Sequence, residues 1–121
     1  MRNTPLQTAV LIAVMLKRSG QTRARISAST IKLVGIRKPL RTAFISDLRG
    51  QLAEFGWELL ELGSGGFGAV QISSLEAAKP VTAKRYLSDA ELRALKLGRL
   101  AWDELEREVD PDEDQSDPDQ E

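Results

Sequence analysis

Cysteine and histidine are both missing from this 121-residue sequence. Their absence excludes disulfides, thiolate nucleophiles, imidazole general bases and the usual zinc ligand sets. Aromatic residues are scarce, six in all, and do not alternate with basic ones, so the pattern holds no stacking platform for single-stranded nucleic acid. Long apolar runs are missing too. The longest, "AVLIAVML" at 9–16, is well short of the roughly 20 residues that span a bilayer. Lys17 and Arg18 follow it and no small-x-small cleavage site is evident, which argues against a secretory signal. These absences predict a soluble cytoplasmic protein with no cofactor, no metal and no membrane partner.

What is present is charge, unevenly placed. The formal net charge of −1 hides ten Lys/Arg against a single acid, Asp47, in residues 1–50. Residues 51–100 hold six of each sign, and residues 101–121 set Arg107 against eleven acids. A basic half and an acidic end point to a polyanion-binding face with a separate acidic appendage.

Local signals divide the chain. Thr4, Pro5 and Gln7 form a capping box with proline in the first turn, opening a helix that Gly20 closes after the basic pair. Positions 9–16 are apolar on every side, so the rest of the domain or a partner chain has to cover this helix. Residues 22–26 alternate as a short basic edge strand, and Ser27 caps a second helix running to about Val34 with Gly35 just past its end. Pro39 reads as the first residue of a third helix that reaches Phe55 before Gly56. "WELLEL" at 57–62 and "FGAVQI" at 67–72 are strand-like and joined by "GSGG", a hairpin connection. Residues 73–84 carry no clear pattern. Ser88 and Glu91 make a second capping box, opening a helix from about 89 to 109, and the stretch from 110 to 121, with seven acids and no apolar side chain, reads as disordered.

In element order and in the punctuation at Gly20, Gly35, Pro39 and Gly63–Gly68, residues 4–72 resemble the winged-helix superfamily of DNA-binding domains. The resemblance implies an α+β, mostly helical fold: three N-terminal helices, a small antiparallel sheet with a glycine-rich wing, and here an added C-terminal helix. It implies that the third helix reads DNA. One departure from the stricter helix-turn-helix pattern is Ile31, four residues before Gly35, where a small residue is usual. The domain division expected is 1–86 for the winged helix, 87–109 for the C-terminal helix and 110–121 for the acidic tail.

On the third helix Leu40, Phe44, Ile45, Leu48, Leu52 and Phe55 share one face, the expected core side. The opposite face holds Thr42, Ala43, Ser46, Arg49, Gly50 and Ala53. Small side chains there allow close approach to a grooved partner; arginine grips guanine and hydroxyls reach base edges. Arg37, Lys38 and Arg41 beside the helix start, with Arg23 and Arg25 on the neighbouring strand, are candidate phosphate contacts. The expected DNA-binding set is therefore Arg23, Arg25, Arg37, Lys38, Arg41, Thr42, Ser46 and Arg49.

The hairpin "GSGGFG" carries no cation, and its Phe67 serves either as a minor-groove wedge or as a side chain folded back on the core. A strand-like run follows this glycine cluster and no lysine is suitably placed, which excludes a phosphate-binding P-loop. Ala90, Ala94, Gly98, Ala101 and Leu105 line one stripe of the last helix, suited either to packing on its own domain or to a homodimer through residues 90–105. Trp57 and Tyr86 read as core or interface aromatics. Asp47, Glu54, Glu58 and Glu61 fall in no catalytic spacing, so no enzyme is expected. The reading is a DNA-binding transcriptional regulator of bacterial or phage type; its rival is a winged-helix module that docks a protein partner through the same small face and the C-terminal helix, with the acidic tail as a decoy or anchor.

Overall fold

The computed structural model describes residues 1–111 of the chain. It is an α+β structure, mostly helical, with one small antiparallel sheet. The chain falls into two compact units, residues 1–78 and residues 79 onward.

The first unit opens with α1, Pro5–Ser19. Its capping box forms as the sequence dictates: Gln7 N–H donates to Thr4 Oγ1 at 3.0 Å, and Thr4 N–H donates to Gln7 Oε1 at 2.9 Å. Gly20 ends the helix at φ 72°, a left-handed position. β1, Arg23–Ile26, leads through the Ser27 cap into α2, Ala28–Gly35. Next come α3, Thr42–Glu54, and the strands β2, Trp57–Glu61, and β3, Phe67–Gln71. The sheet order is β1-β3-β2, and β3 pairs antiparallel with both neighbours, setting Leu59 and Ala24 on either side of Ala69. Alternation then decides the faces. Ala24, Ile26, Trp57, Leu59, Phe67 and Ala69 join the core with Ala9, Ile12 and Leu16 of α1, Ile31 of α2, and Phe44, Ile45, Leu48 and Leu52 of α3. α4, Ile72–Glu76, closes this unit.

Several boundaries differ from the sequence pattern, each for a tertiary reason. α2 includes Gly35, and Ile36 takes the left-handed C-cap position at φ 53°. Gly35 is packed rather than free to act as the cap: a Cβ there would lie 3.4 Å from both Phe44 Cζ and Thr8 Oγ1, at the edge of ordinary van der Waals contact with α3 and α1. α3 starts at Thr42 with Arg41 as its N-cap, three residues later than Pro39 predicts. Leu40 packs against the core from the segment before the helix, so helical winding begins only after it. Phe55, expected in the core, is the C-cap residue of α3 and is 45% exposed, because the chain turns through Gly56 at φ 89° into β2. α1 is covered on one side only; Leu6, Val10, Leu11 and Met15 remain exposed.

The second unit has three short helices, α5 Ala83–Tyr86, α6 Asp89–Leu97 and α7 Trp102–Glu108. The Ser88–Glu91 capping box forms. The single helix expected over 89–109 does not. Gly98 adopts φ 72°, and the Gly98 and Arg99 N–H groups turn back to Leu95 O and Ala94 O, the two-bond stop of a Schellman motif. The small-residue stripe is thus divided, Ala90 and Ala94 on α6 with Gly98 at its stop, Ala101 and Leu105 with α7. Tyr86, expected as a core or interface aromatic, is 61% exposed, whereas Trp57 is buried. Apart from residues 110 and 111, the acidic stretch lies outside the described residues. Among the described residues no helix is long and apolar enough to cross a membrane.

Candidate nucleic-acid interface

The turn between α2 and α3 is built around Asn3. Its backbone N–H donates to Gly35 O at 3.1 Å and its side-chain Nδ2 donates to Val34 O at 2.7 Å, satisfying carbonyls at the end of α2. Arg37 returns to the same residue, donating from a terminal guanidinium nitrogen to Asn3 O at 2.8 Å. Its guanidinium also lies 3.8 Å from the Phe44 ring centroid, while its Nε finds no partner among the described residues. This clasp pins the first residues of the chain against the α2–α3 turn and brings Arg2 into a region otherwise lined by Lys32, Arg37, Lys38 and Arg41.

Together these five cations border an open cavity of about 640 Å³, with Leu33 and Ile36 among its apolar walls and, among the described residues, no carboxylate in the lining. The Arg41 side chain makes no cap hydrogen bond to the first turn of α3, in contrast to Thr4 of α1 and Ser27 of α2. Free N–H groups at the α3 N-terminus therefore add to the positive field beside the cavity.

On α3 itself Thr42, Ala43, Ser46, Arg49, Gly50 and Ala53 are all exposed. A Cβ on Gly50 would meet nothing within 4 Å, so this face is open as well as small. Arg49 is engaged by Glu58 of β2 at 3.3 Å, with both side chains nearly half exposed. Such a solvated pair is weak, so a stronger acceptor can take the arginine from it.

The remaining two cations stand elsewhere. Ala24 and Ile26 face the core, so Arg23 and Arg25 project from the opposite side of the sheet, where they border a separate hollow with Leu60, Leu62 and Gly68. The structure gathers Arg37, Lys38 and Arg41 with Thr42 at the start of α3 and leaves Arg23 and Arg25 on the outer sheet surface. Sequence reasoning does not single out Arg2 and Lys32. Nothing local marks Arg2, whose position depends on contacts spanning more than 30 residues.

Phe67 is 7% exposed and belongs to the core. The hairpin connection thus presents the half-buried Leu62 with Gly63, Ser64, Gly65 and Gly66, the last two at positive φ, and no cation. Among the described residues, no group of three or more metal-ligating side chains comes together. The chain matches no known protein family, no curated protein and no solved structure.

Proposed function

We propose that this chain is a cytoplasmic, non-enzymatic transcriptional regulator of bacterial or phage type that binds double-stranded DNA as a winged helix. In this reading the exposed face of α3 enters the major groove and the α2–α3 turn grips the adjacent phosphates. The observation that carries it is the cavity lined by five cations and no acid, placed at the uncapped start of a helix whose exposed face carries Thr42, Ala43, Ser46, Arg49, Gly50 and Ala53, with Asp47 and Glu54 along one edge. Arg2, Lys32, Lys38 and Arg41 then contact backbone, with Arg37 held between that role and the fold. Ser46, Thr42 and Arg49 face the base edges, where arginine and hydroxyl groups discriminate. Arg23 and Arg25, on the outer sheet surface, serve a strand of DNA that wraps past the hairpin.

Leu33 at 75% exposure and Ile36 at 46% favour a second reading, in which the same cavity holds an acidic, partly apolar protein segment. One experiment separates the two. Binding of the full chain to random duplex DNA is measured across a salt series, by anisotropy. With about five phosphates contacted, affinity falls on the order of 10²- to 10³-fold between 50 and 200 mM salt. Glu58→Ala, which frees Arg49, tightens that binding. No binding at low salt, or a flat salt response, rejects the DNA reading and leaves the protein-docking one.

A further inference from the structure

The outer face of α1 is an apolar feature the core does not use. Ala9, Ile12 and Leu16 point inward, and almost opposite them on the helix stand Gln7, Leu11, Val14 and Arg18. Leu11 is 42% exposed and Val14 half-buried, while Leu6, Val10 and Met15, at 48, 41 and 39%, widen the strip. No charged residue occurs between Arg2 and Lys17.

The spacing of the central four residues is symmetric. From Gln7 to Leu11, Val14 and Arg18 the steps are four, three and four, the a/d spacing of a helix–helix seam, and the pattern reads the same from either end. A two-fold axis between Ile12 and Ala13 would carry the set onto itself in antiparallel register. Leu11 then meets Val14 of a second copy, twice, and Gln7 meets Arg18 of the second copy, twice. The pairing is chemically complementary as well as geometric. Gln7 Oε1, which accepts from Thr4 N–H at 2.9 Å, has a second lone pair for the guanidinium, and no like charges oppose each other in the seam. A parallel pair, by contrast, sets Arg18 against Arg18.

From this self-complementarity we infer that α1 is a homodimer surface, pairing antiparallel with α1 of a second copy through Leu11, Val14, Gln7 and Arg18. Only two apolar layers lie between the polar ends, so the dimer is weak and concentration-dependent. The surface is distinct from residues 90–105 and independent of whether the protein binds DNA.

The absence of native cysteine makes orientation directly testable. Sedimentation velocity of the full chain, from low-micromolar to sub-millimolar concentration, shows a reversible monomer–dimer equilibrium. Leu11→Glu buries an unpaired carboxylate across the seam and raises the dimer Kd by more than about tenfold, while its circular dichroism and cooperative melt stay those of the parent. Leu11→Ser is the milder replacement should Leu11→Glu not fold. Chains carrying Gln7→Cys mixed with chains carrying Arg18→Cys oxidise to a cross-linked heterodimer. Gln7→Cys alone does not, because in an antiparallel pair the two copies of position 7 lie about 16 Å apart along the axis. A chain that stays monomeric throughout overturns the inference. So does a dimer indifferent to both Leu11 substitutions, or one in which Gln7→Cys cross-links to itself as readily as to Arg18→Cys.

Discussion

The Arg37 guanidinium donates to Asn3 O at 2.8 Å and stacks 3.8 Å from the Phe44 ring centroid, and Lys38 beside it is exposed with no such partner among the described residues. Removing Arg37 deletes a charge-assisted hydrogen bond and a cation–π contact and loosens the clasp on Asn3. Arg37→Ala is therefore expected to cost about 1–3 kcal/mol of stability, and Lys38→Ala less than about 0.5 kcal/mol. Urea denaturation checks both, and equal stabilities would show that the clasp contributes nothing. The same pair tests the proposed DNA binding: if Lys38 meets a phosphate, Lys38→Ala is expected to lower the salt slope by about one unit. Ile36 poses the opposite problem. It is β-branched, it takes φ 53°, and it closes α2 through bonds from Ile36 N–H to Leu33 O and Arg37 N–H to Lys32 O. The left-handed position costs an L-residue roughly 1–2 kcal/mol, so Ile36→Gly is expected to raise stability by about 0.5–1 kcal/mol after the lost apolar contact is subtracted. A lower melting temperature for Ile36→Gly would show that its contacts outweigh the strain.

At the scale of elements, α3 carries a glycine in its interior with open space beside it. Gly50→Ala gains helix propensity and meets no atom within 4 Å, so the fold is expected to become more stable by about 1 kcal/mol. If the helix lies in a groove, the added methyl sits in the contact and DNA affinity falls while stability rises. A variant that gains in both disproves close approach at that point. The sequence pattern locates α1, β1, the hairpin strands and the Ser88 cap because each depends on neighbours within a few residues: Thr4 with Gln7, Ser88 with Glu91, glycines between two strand-like runs. It misplaces the end of α2 and the start of α3 because those depend on packing between distant residues. Gly35 looks like a C-cap until Phe44 and Thr8 are seen against it, and Pro39 looks like a helix start until Leu40 is seen in the core. Gly98 has two readings in sequence, a small residue on a packing stripe or a left-handed stop, and only the backbone decides. The site divides in the same way. Arg37, Lys38, Arg41 and the face of α3 are visible as a local cluster, whereas Arg2 joins them only through Asn3, and Arg23 and Arg25 part from them through strand alternation.

At the scale of the whole molecule, every buried core side chain among the described residues falls between Ala9 and Ala69, inside the unit of residues 1–78. That fragment is expected to fold by itself in one cooperative transition; a non-cooperative melt would mean that the remainder of the chain supports the core. Its charge separates three lengths of the protein in binding experiments. Residues 1–78 hold ten Lys/Arg and five acids, residues 79–109 are nearly balanced at seven and six, and residues 110–121 add seven acids and no cation. If DNA is held by the α2–α3 turn and the acidic end acts only through its field, the fragments 1–78 and 1–109 bind with closely similar affinity. The full chain binds several-fold more weakly at low salt, and the three converge once the Debye length falls to a few ångströms near 1 M. Equal binding by all three at low salt would reduce the acidic end to a solubilising appendage. Tighter binding by 1–109 than by 1–78 would instead place DNA contacts on α5, α6 or α7, and the search for phosphate partners would move to Lys84, Arg85 and Arg93.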